Sequence, residues 1–311
     1  MMKILCLANV RIPTEKAHGI QIMKMCEAFA RQGTEVELVV PRRHNLIKTD
    51  PFKYYGIPMH IFTIKKLPSL DVARFGQIGF WIQHISFFLF SIPYAIFARA
   101  DMIYSRDIIL CFILSVVRVH GVVFEDHEPI KHRRTYAFLL RYISHKVIVA
   151  ANLRALYESL GVSVKGVCVA PNGVDLEEFN VVSPDPLLWS RKYGIEREKK
   201  IILYTGHFYR WKGTYTLLDS SRFMGEDTVI VCIGGTAGDY AEAQRYIEKQ
   251  RLTNVYLVPF LSHVEVLSHL KSANVLVLPN TAKEERSLRY TTPLKLFEYM
   301  ASGVPIVASR I

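Results

Sequence analysis

The sequence predicts an α/β protein with two parallel-sheet domains in tandem, each with helices on both faces of its sheet. Short runs rich in β-branched residues alternate with segments whose apolar residues recur at helical spacing, and this alternation is typical of parallel sheets. The pattern occurs twice, on either side of a polar segment, Asp175–Lys200, which contains Pro184 and Pro186. A chain of 311 residues is long enough for two domains of roughly 100–200 residues each.

We assign the first domain to residues 1–175. It opens with a buried strand at 3–9, and a helix then runs from about Gly19 to Gly33, which suits a helix C-terminus. Helices are also predicted at Arg133–Ile143 and Asn152–Leu160. The further strands are predicted at Val36–Val40, Met59–Ile64, Met102–Ser105, Val122–Glu125, Val147–Ala150 and Val167–Ala170.

The second domain, residues 201–311, follows a predicted linker at 176–200. Its strands are predicted at Ile201–Thr205, Val229–Ile233, Val255–Val258, Asn274–Leu278 and Pro305–Ala308. Its helices are predicted at Thr214–Ser220, Tyr240–Gln250, His263–Ser272 and Pro293–Ala301. Because the sequence ends directly after a predicted strand, we expect this domain to be incomplete. Ligands of such sheets bind beyond the carboxyl ends of the strands, so two facing sheets predict one cleft between them.

Composition and charge narrow the possible partners. The five cysteines are widely spread and form no CxxC pair, so neither a disulfide framework nor a zinc site is indicated, and a reducing cytoplasm is expected. Residues 1–160 carry a net charge of +9, whereas residues 161–311 carry only +2. A basic first half indicates an acidic partner, either nucleic acid, anionic lipid or a phosphorylated substrate. Nucleic acid is the least favoured, since no zinc finger or Arg-rich helix is present.

The segment Phe75–Ala98 has no formally charged residue and is long enough to cross a membrane. Polar residues and Pro93 interrupt its apolar run. Three interpretations remain open: a helix packed in the core, a helix that docks on a membrane surface, or a true membrane span.

Two segments of the second half are suited to a phosphorylated ligand. The loop Gly206–Gly213 follows a predicted strand and offers Arg210 and Lys212, so its N–H groups and cations can bind a diphosphate. The alternative is a glycine-rich turn with solvated charges. Thr292 and Pro293 mark the start of a helix whose first-turn N–H groups form a second anion site.

Two further residues are candidates for ligand contacts. Glu298 lies in an otherwise apolar stretch of the helix that follows Pro293, where a carboxylate either pairs with a cation or accepts hydrogen bonds from ligand hydroxyls. His127 lies among carboxylates at the end of a predicted strand and can donate to a phosphate or a sugar hydroxyl. A metal site there is less favoured, since position 131 is Lys131 rather than a second histidine.

Together these segments resemble glycosyltransferase family 4, the group 1 glycosyltransferases of the GT-B fold, over nearly the whole chain. The segments that carry the resemblance are Ala17–Gln21, Tyr104–Asp107, Glu125–His127, Pro171–Asp175, Gly206–Gly213 and Pro293–Pro305.

The resemblance implies a retaining transfer of a sugar from a nucleotide diphosphate sugar, with no obligatory metal ion or other cofactor. It assigns Lys212 to the leaving diphosphate and His127 to the donor sugar, and both are therefore candidate catalytic residues. Glu298 matches the glutamate that holds the ribose hydroxyls, and Gly19 matches a glycine that lets the backbone approach the phosphates. The full set of residues assigned to donor binding is Gly19, His207, Arg210, Thr292, Leu294 and Glu298.

Two positions depart from the family pattern. His207 stands where the family has an arginine, so Lys212 carries more of the expected phosphate neutralisation, with Arg210 as a possible replacement. Tyr290 stands where the family has the first glutamate of its paired motif, and Glu284 or Glu285 would have to replace it. The donor sugar is therefore left open.

We expect a glycosyltransferase of surface polysaccharide or glycolipid synthesis, cytoplasmic and peripheral on the inner face of the membrane. The expected donor carries UDP rather than GDP. The expected acceptor is a glycan or a lipid-linked molecule bound by the first domain, and an anionic membrane surface is a further expected partner. Two alternatives are a GT-B-fold nucleotide-sugar epimerase and a non-catalytic subunit that binds a nucleotide sugar.

Overall fold

The computed structural model describes residues 1–127, 131–282 and 293–310. The chain divides into two compact units, Met1–Pro171 and Asn172–Ile311. Each unit contains one parallel sheet with interleaved helices, as predicted for the fold class. The first unit begins and ends close to the predicted first domain.

The sheet of the first unit reverses its strand order near its middle. The strands are β1 (Lys3–Leu7), β2 (Glu35–Pro41), β3 (Thr63–Leu67), β4 (Met102–Ser105), β5 (Val122–Asp126), β6 (His145–Ile148) and β7 (Val167–Val169). The helices are α1 (Ala17–Arg31), α2 (Pro51–Tyr55), α3 (Gly76–Phe97), α4 (Ile108–Val116), α5 (Arg133–Tyr142) and α6 (Asn152–Ser159). In the order β3-β2-β1-β4-β5-β6-β7, the reversal falls between β1 and β4.

Three elements of the first unit, α2, β3 and α4, differ from the sequence prediction, which names no helix at Pro51–Tyr55. The strand predicted at Met59–Ile64 is β3 and begins at Thr63, because residues 59–62 form a turn. In that turn His60 has a φ of 61° and the ring of Phe62 packs against Phe52. Helix α4 was not predicted, since its sequence is apolar almost throughout and shows no helical period.

The second unit has a smaller sheet with the same kind of reversal. Its strands are β8 (Lys200–Thr205), β9 (Thr228–Ile233), β10 (Val255–Val258), β11 (Val275–Leu278) and β12 (Ile306–Ala308). Its helices are α7 (Leu176–Asn180), α8 (Leu188–Tyr193), α9 (Thr214–Ser220), α10 (Ala237–Gln250), α11 (His263–Lys271) and α12 (Leu294–Ser302). Among the described residues the order is β10-β9-β8-β11-β12, so the reversal falls between β8 and β11.

The segment 176–200, for which the sequence predicts a linker, contains α7 and α8 and packs into the second unit. Phe179, Trp189 and Ile195 are buried in the apolar core of that unit. The indole N–H of Trp189 also donates a 2.6 Å hydrogen bond to the carbonyl oxygen of Ser272. The prolines and charges of this segment therefore accompany short helices rather than an extended connection.

The burial of helix α3 bears on the three interpretations of segment 75–98. By length and composition, Ala73–Phe97 is able to cross a membrane, but such a helix alone is weak evidence for a span. Only 33% of its most apolar window is buried in the structure, whereas a core helix is mostly buried. Gln83, Ser86 and Phe87 face the first unit, and a row of apolar side chains faces outward.

Candidate functional site

The loop Gly206–Gly213 follows β8 at the point where the strand order of the second sheet reverses. In parallel sheets this is the position at which ligands bind. Gly213 has a φ of 72°, and a Cβ there would lie 1.6 Å from the carbonyl oxygen of Pro279, so only glycine fits. The loop is therefore held tightly against the residues that follow β11.

A second glycine loop, absent from the sequence prediction, follows β9 and packs on the first. The N–H of Gly235 donates to the carbonyl oxygen of Gly206 over 3.2 Å. A Cβ on Gly234 would lie 2.7 Å from that same oxygen. Thr236 and Asp239 then form a capping box at the start of α10, so the N-terminus of this helix is satisfied by its own side chains.

The predicted loop residues have different surroundings. The His207 ring stacks on that of Tyr209 with 5.0 Å between centroids, and its Nδ1 lies 3.5 Å from a carboxylate oxygen of Asp239. Burial and the charge of Lys212 lower the pKa of His207 below 6.5, so the imidazole is neutral at neutral pH. The Lys212 ammonium lies 5.1 Å from the centre of the Trp211 ring.

Arg210 is turned toward helix α10. Its side chain is 72% exposed and pairs with Glu242 at 2.9 Å. Its guanidinium also lies over the ring of Tyr215. The structure thus gives Arg210 a carboxylate partner, and its proposed substitution for the arginine missing at position 207 stays a prediction.

Helix α12 begins at Leu294, one residue later than predicted, and Pro293 is its N-cap. Leu294 is therefore the first helical residue, in place of the predicted Pro293, and its assignment to donor binding stays a prediction. The hydroxyl of the fully buried Tyr299 accepts a 2.9 Å hydrogen bond from the N–H of Thr205, which ties the helix to the end of β8. Thr292 lies outside the described residues, as do Tyr290, Glu284 and Glu285.

Lys295, which the sequence analysis missed, lies against the first glycine loop. Its side chain is buried, with 8% of the residue exposed, and its Nζ is 3.8 Å from the centre of the Tyr204 ring. The same Nζ is 3.1 Å from where a Cβ on Gly206 would be, and it has no hydrogen-bond partner within the described part of the chain. Burial first, and then the charge of Lys212, hold its pKa well below 10.5.

Glu298 lies three residues after Lys295 and pairs with a histidine from α11. Its carboxylate is 3.8 Å from Nδ1 of His263, whose Nε2 lies 3.1 Å from Glu178. Burial raises the pKa of Glu298, and the charges of His263 and Lys295 oppose that rise. The structural ion pair considered as an alternative is thus present in part, although its distance exceeds that of a hydrogen bond.

In the first unit, His127 belongs to a polar cluster at the end of β5. Its Nε2 lies 2.9 Å from Glu125, whose carboxylate also accepts two hydrogen bonds from Arg106, at 2.6 and 3.1 Å. Burial alone would raise the pKa of Glu125, but the bond to His127 and the charge of Arg106 lower it to about 2. This cluster holds the His127 ring in place.

Gly19 has a packing reason to be glycine. A Cβ at this position would lie 2.3 Å from the hydroxyl oxygen of Tyr55 and 2.5 Å from Cγ2 of Thr14. The Tyr55 hydroxyl also donates to the carbonyl oxygen of Thr14 over 2.8 Å. The expectation that Gly19 lets the backbone approach the donor phosphates stays a prediction.

The residues predicted to act together therefore fall into two groups. The second unit holds His207 and Lys212 in the first glycine loop, and Lys295 and Glu298 on α12. The first unit holds Gly19 and His127. Within the described ranges, no group of three or more His, Cys, Asp or Glu side chains could hold a metal ion.

Two successive units, each with a parallel sheet whose strand order reverses near its middle, are the architecture of the GT-B fold. Residues 199–311 match the family described as "Glycosyl transferases group 1". This match lies in the second unit, where the motifs predicted the donor site, and it agrees with the family that the motifs resemble. A comparison with curated proteins found no match.

Several solved structures share the fold at low sequence identity. Alr3699/HepE from Anabaena, in complex with UDP and glucose, has a TM-score of 0.75 at 15% identity, covering 99% of this chain and 80% of that chain. Sucrose-phosphate synthase from Thermosynechococcus elongatus has a TM-score of 0.72 at 15% identity, covering 99% and 81%. WaaG, a glycosyltransferase of lipopolysaccharide biosynthesis, has a TM-score of 0.68 at 12% identity, covering 99% and 80%.

Proposed function

We propose that this glycosyltransferase moves a sugar, with retention of configuration, from a UDP-sugar to an acceptor on a membrane lipid, in surface polysaccharide or glycolipid synthesis. The observation that carries the proposal is the pair Lys212 and Lys295 beside two tightly packed glycine loops at the carboxyl end of β8. The charge of Lys212 lowers the pKa of the buried Lys295, so an anion bound beside both side chains would be favoured, and a diphosphate supplies that anion.

The two lysines act on the bond that breaks. As the bond between the anomeric carbon and the diphosphate oxygen lengthens, negative charge grows on the diphosphate, and the fixed ammonium groups stabilise it. The acceptor hydroxyl then attacks the same face of the sugar, and its proton passes to the departing phosphate oxygen. Retention follows from this same-face attack, and the mechanism requires no protein nucleophile and no obligatory metal ion.

The carboxylate of Glu298 is assigned to the ribose hydroxyls. It is half-buried and keeps acceptor capacity, since its approach to His263 is 3.8 Å. Uridine is favoured as the base because Alr3699/HepE is described in complex with UDP and with UDP-glucose. In the first unit, His127 is assigned to the donor sugar, with Glu125 fixing the orientation of the ring.

Titration calorimetry with UDP, GDP and ADP tests the donor assignment. The parent protein should bind UDP most tightly, and Glu298→Gln should weaken that binding about tenfold while its melting temperature changes little. A lower melting temperature with unchanged UDP affinity would show that Glu298 is only structural. Incubation with a UDP-sugar alone adds a second readout, since an epimerase converts the donor without an acceptor and a binding subunit never turns it over.

The outward row of α3 supports the membrane part of the proposal. The exposed apolar residues Ile78, Trp81, Ile82, Ile85 and Leu89 follow one another at intervals of three, one, three and four residues, along one side of the helix. Exposed Lys65 and Lys66 lie on β3, against which α3 packs, and exposed Arg74 precedes the helix. An apolar face bordered by cations is the pattern of a helix that lies in the interface of an anionic membrane.

The protein should therefore bind vesicles containing anionic phospholipid, and binding should fall as salt is raised because surface charges are screened. Replacing both Lys65 and Lys66 with glutamine should reduce this binding and its salt dependence, each lysine contributing about 1 kcal/mol. Vesicle sedimentation measures both effects. Equal binding to neutral vesicles at every salt concentration would contradict the electrostatic part of the proposal.

A further inference from the structure

The first unit contains a cavity that none of the predicted site residues lines. It has a volume of about 430 Å³ and lies at the carboxyl ends of β1 and β4. These are the two strands between which the sheet order reverses. Both its position and its volume are those of a small-molecule site in an α/β sheet.

Most of the cavity wall is apolar. Helices α1, α3 and α4 and strand β1 contribute to it, with Leu7, Ile22, Met25, Phe80, Trp81 and Ile109 among the lining side chains. Water in such a space would have few partners, so a hydrocarbon is favoured there.

The cavity also has polar lining residues, among them Asp107, whose carboxylate lies 3.8 Å from Nε2 of His84. Arg106 and Glu125 line it and neutralise each other, and burial lowers the pKa of His18 to about 4, so this imidazole is uncharged. Two buried nitrogen atoms at the cavity, Nδ2 of Asn9 and Nδ1 of His84, have no hydrogen-bond partner within the described residues. The carboxylate of Glu125 also holds His127, so the polar end adjoins the group assigned to the donor sugar.

The apolar end is continuous with the outer surface of α3. Trp81 lines the cavity and is also 50% exposed, as part of the outward apolar row of the helix. Phe80 beside it lines the cavity and is 45% exposed. Phe80 and Trp81 therefore join the outer surface of α3 to the cavity, with the His84 ring 4.2 Å from that of Phe80 between centroids.

We propose that this cavity binds the hydrocarbon chain of the lipid-linked acceptor, with the chain entering past Phe80 and Trp81 and the polar head lying at Arg106 and Glu125. This assignment rests on the proposed glycosyl transfer, for which it names the acceptor class. Nδ2 of Asn9 and Nδ1 of His84, which lack hydrogen-bond partners among the described residues, are then available to the oxygen atoms where the chain joins the head.

Quenching of tryptophan fluorescence by a brominated long-chain alkanol tests the proposal, since bromine quenches only indoles that it contacts. The chain has three tryptophans, of which Trp189 and Trp211 belong to the second unit. Quenching of the parent should saturate, and Trp81→Phe should remove the saturable component. The alkanol is uncharged, so attraction to the basic surface does not contribute.

Substitutions distinguish alkanol binding in the cavity from binding on the outer surface of α3. Ala8→Leu and Ile109→Phe each fill the cavity from a different element, and both should weaken alkanol binding at least about tenfold. Ile85→Gln removes an exposed apolar group that does not line the cavity, and it should leave the saturable quenching of Trp81 unchanged. Unchanged quenching in both filling variants, or its loss in Ile85→Gln, overturns the proposal.

UDP titration of the same proteins keeps the two assignments distinct. Each filling variant should retain the UDP affinity of the parent, which also shows that the variant is folded. A chain that binds the alkanol in the expected pattern but does not bind UDP would contradict the proposed donor, not the cavity. A chain that binds UDP normally but shows no saturable quenching would contradict the cavity alone.

Discussion

Replacing Lys212 with alanine is expected to lower turnover by about a hundredfold or more, because the lost contact strengthens as the leaving diphosphate gains charge. The melting temperature should hardly change, since Lys212 lies in a loop and contributes little to the core. Initial rates at saturating donor measure the effect on the chemical step, and calorimetry with UDP measures the effect on ground-state binding. We expect the fall in turnover to exceed the fall in UDP affinity.

A matched control separates this local effect from a general loss of positive charge. Lys249→Ala removes an exposed lysine from the last turn of α10 in the same unit, and its turnover should equal that of the parent. Arg210→Ala then tests the predicted substitution for the missing arginine: a large loss would show that Arg210 leaves Glu242 to bind the donor. If Lys212→Ala retains turnover within a few-fold of the parent, the diphosphate site is assigned to the wrong loop.

Much of the fold could be predicted from local patterns. Met102–Ser105 and Thr214–Ser220 agree with the prediction to the residue, because strong β-formers or helical spacing are bounded there by polar residues. The apolar run of α4 gave no such signal, since a helix buried on most sides has no polar face to reveal its period. The strand order also could not be predicted from the sequence, because it depends on contacts between distant segments.

In the candidate site too, local patterns predict some residues, whereas others depend on contacts between distant segments. Lys212 could be predicted because it lies in a glycine-bounded loop after a strand, and both features are local. Lys295 could not, since a lysine in the first turn of an amphipathic helix is usually solvated. Its position against Gly206 depends on the bond between Tyr299 and Thr205, which joins segments 94 residues apart. The cavity of the first unit arises likewise from the reversal between β1 and β4.

Replacing Lys295 with methionine should raise stability and lower nucleotide affinity together. The parent buries an ammonium group that has no hydrogen-bond partner among the described residues, and methionine fills a similar volume without charge, so the free energy of unfolding should increase by about 1 kcal/mol or more. UDP affinity should fall at least about tenfold, because the diphosphate loses a desolvated cation. Chemical denaturation and calorimetry measure the two quantities on the same preparations.

The pH dependence of the stability gain follows from the lowered pKa of Lys295. Below the folded-state pKa, the lysine is charged in both the folded and unfolded proteins, and the parent bears the full cost of burying it. As the pH rises through that pKa toward 10.5, the folded lysine loses its proton and the advantage of methionine shrinks. Denaturation curves measured across this range should therefore converge.

For Lys271, another lysine of the second unit, we expect the opposite effect on stability and no effect on UDP affinity. The Nζ of Lys271 donates a 2.7 Å hydrogen bond to the carbonyl oxygen of Val182, so this partly buried cation has a partner within the protein itself. Lys271→Met should therefore lower stability and leave UDP affinity unchanged. If Lys295→Met behaves in the same way as Lys271→Met, then Lys295 is a structural residue. Of these two lysines, Lys295 is the one whose ammonium group lacks a hydrogen-bond partner among the described residues, so its burial should cost stability until an anionic ligand binds.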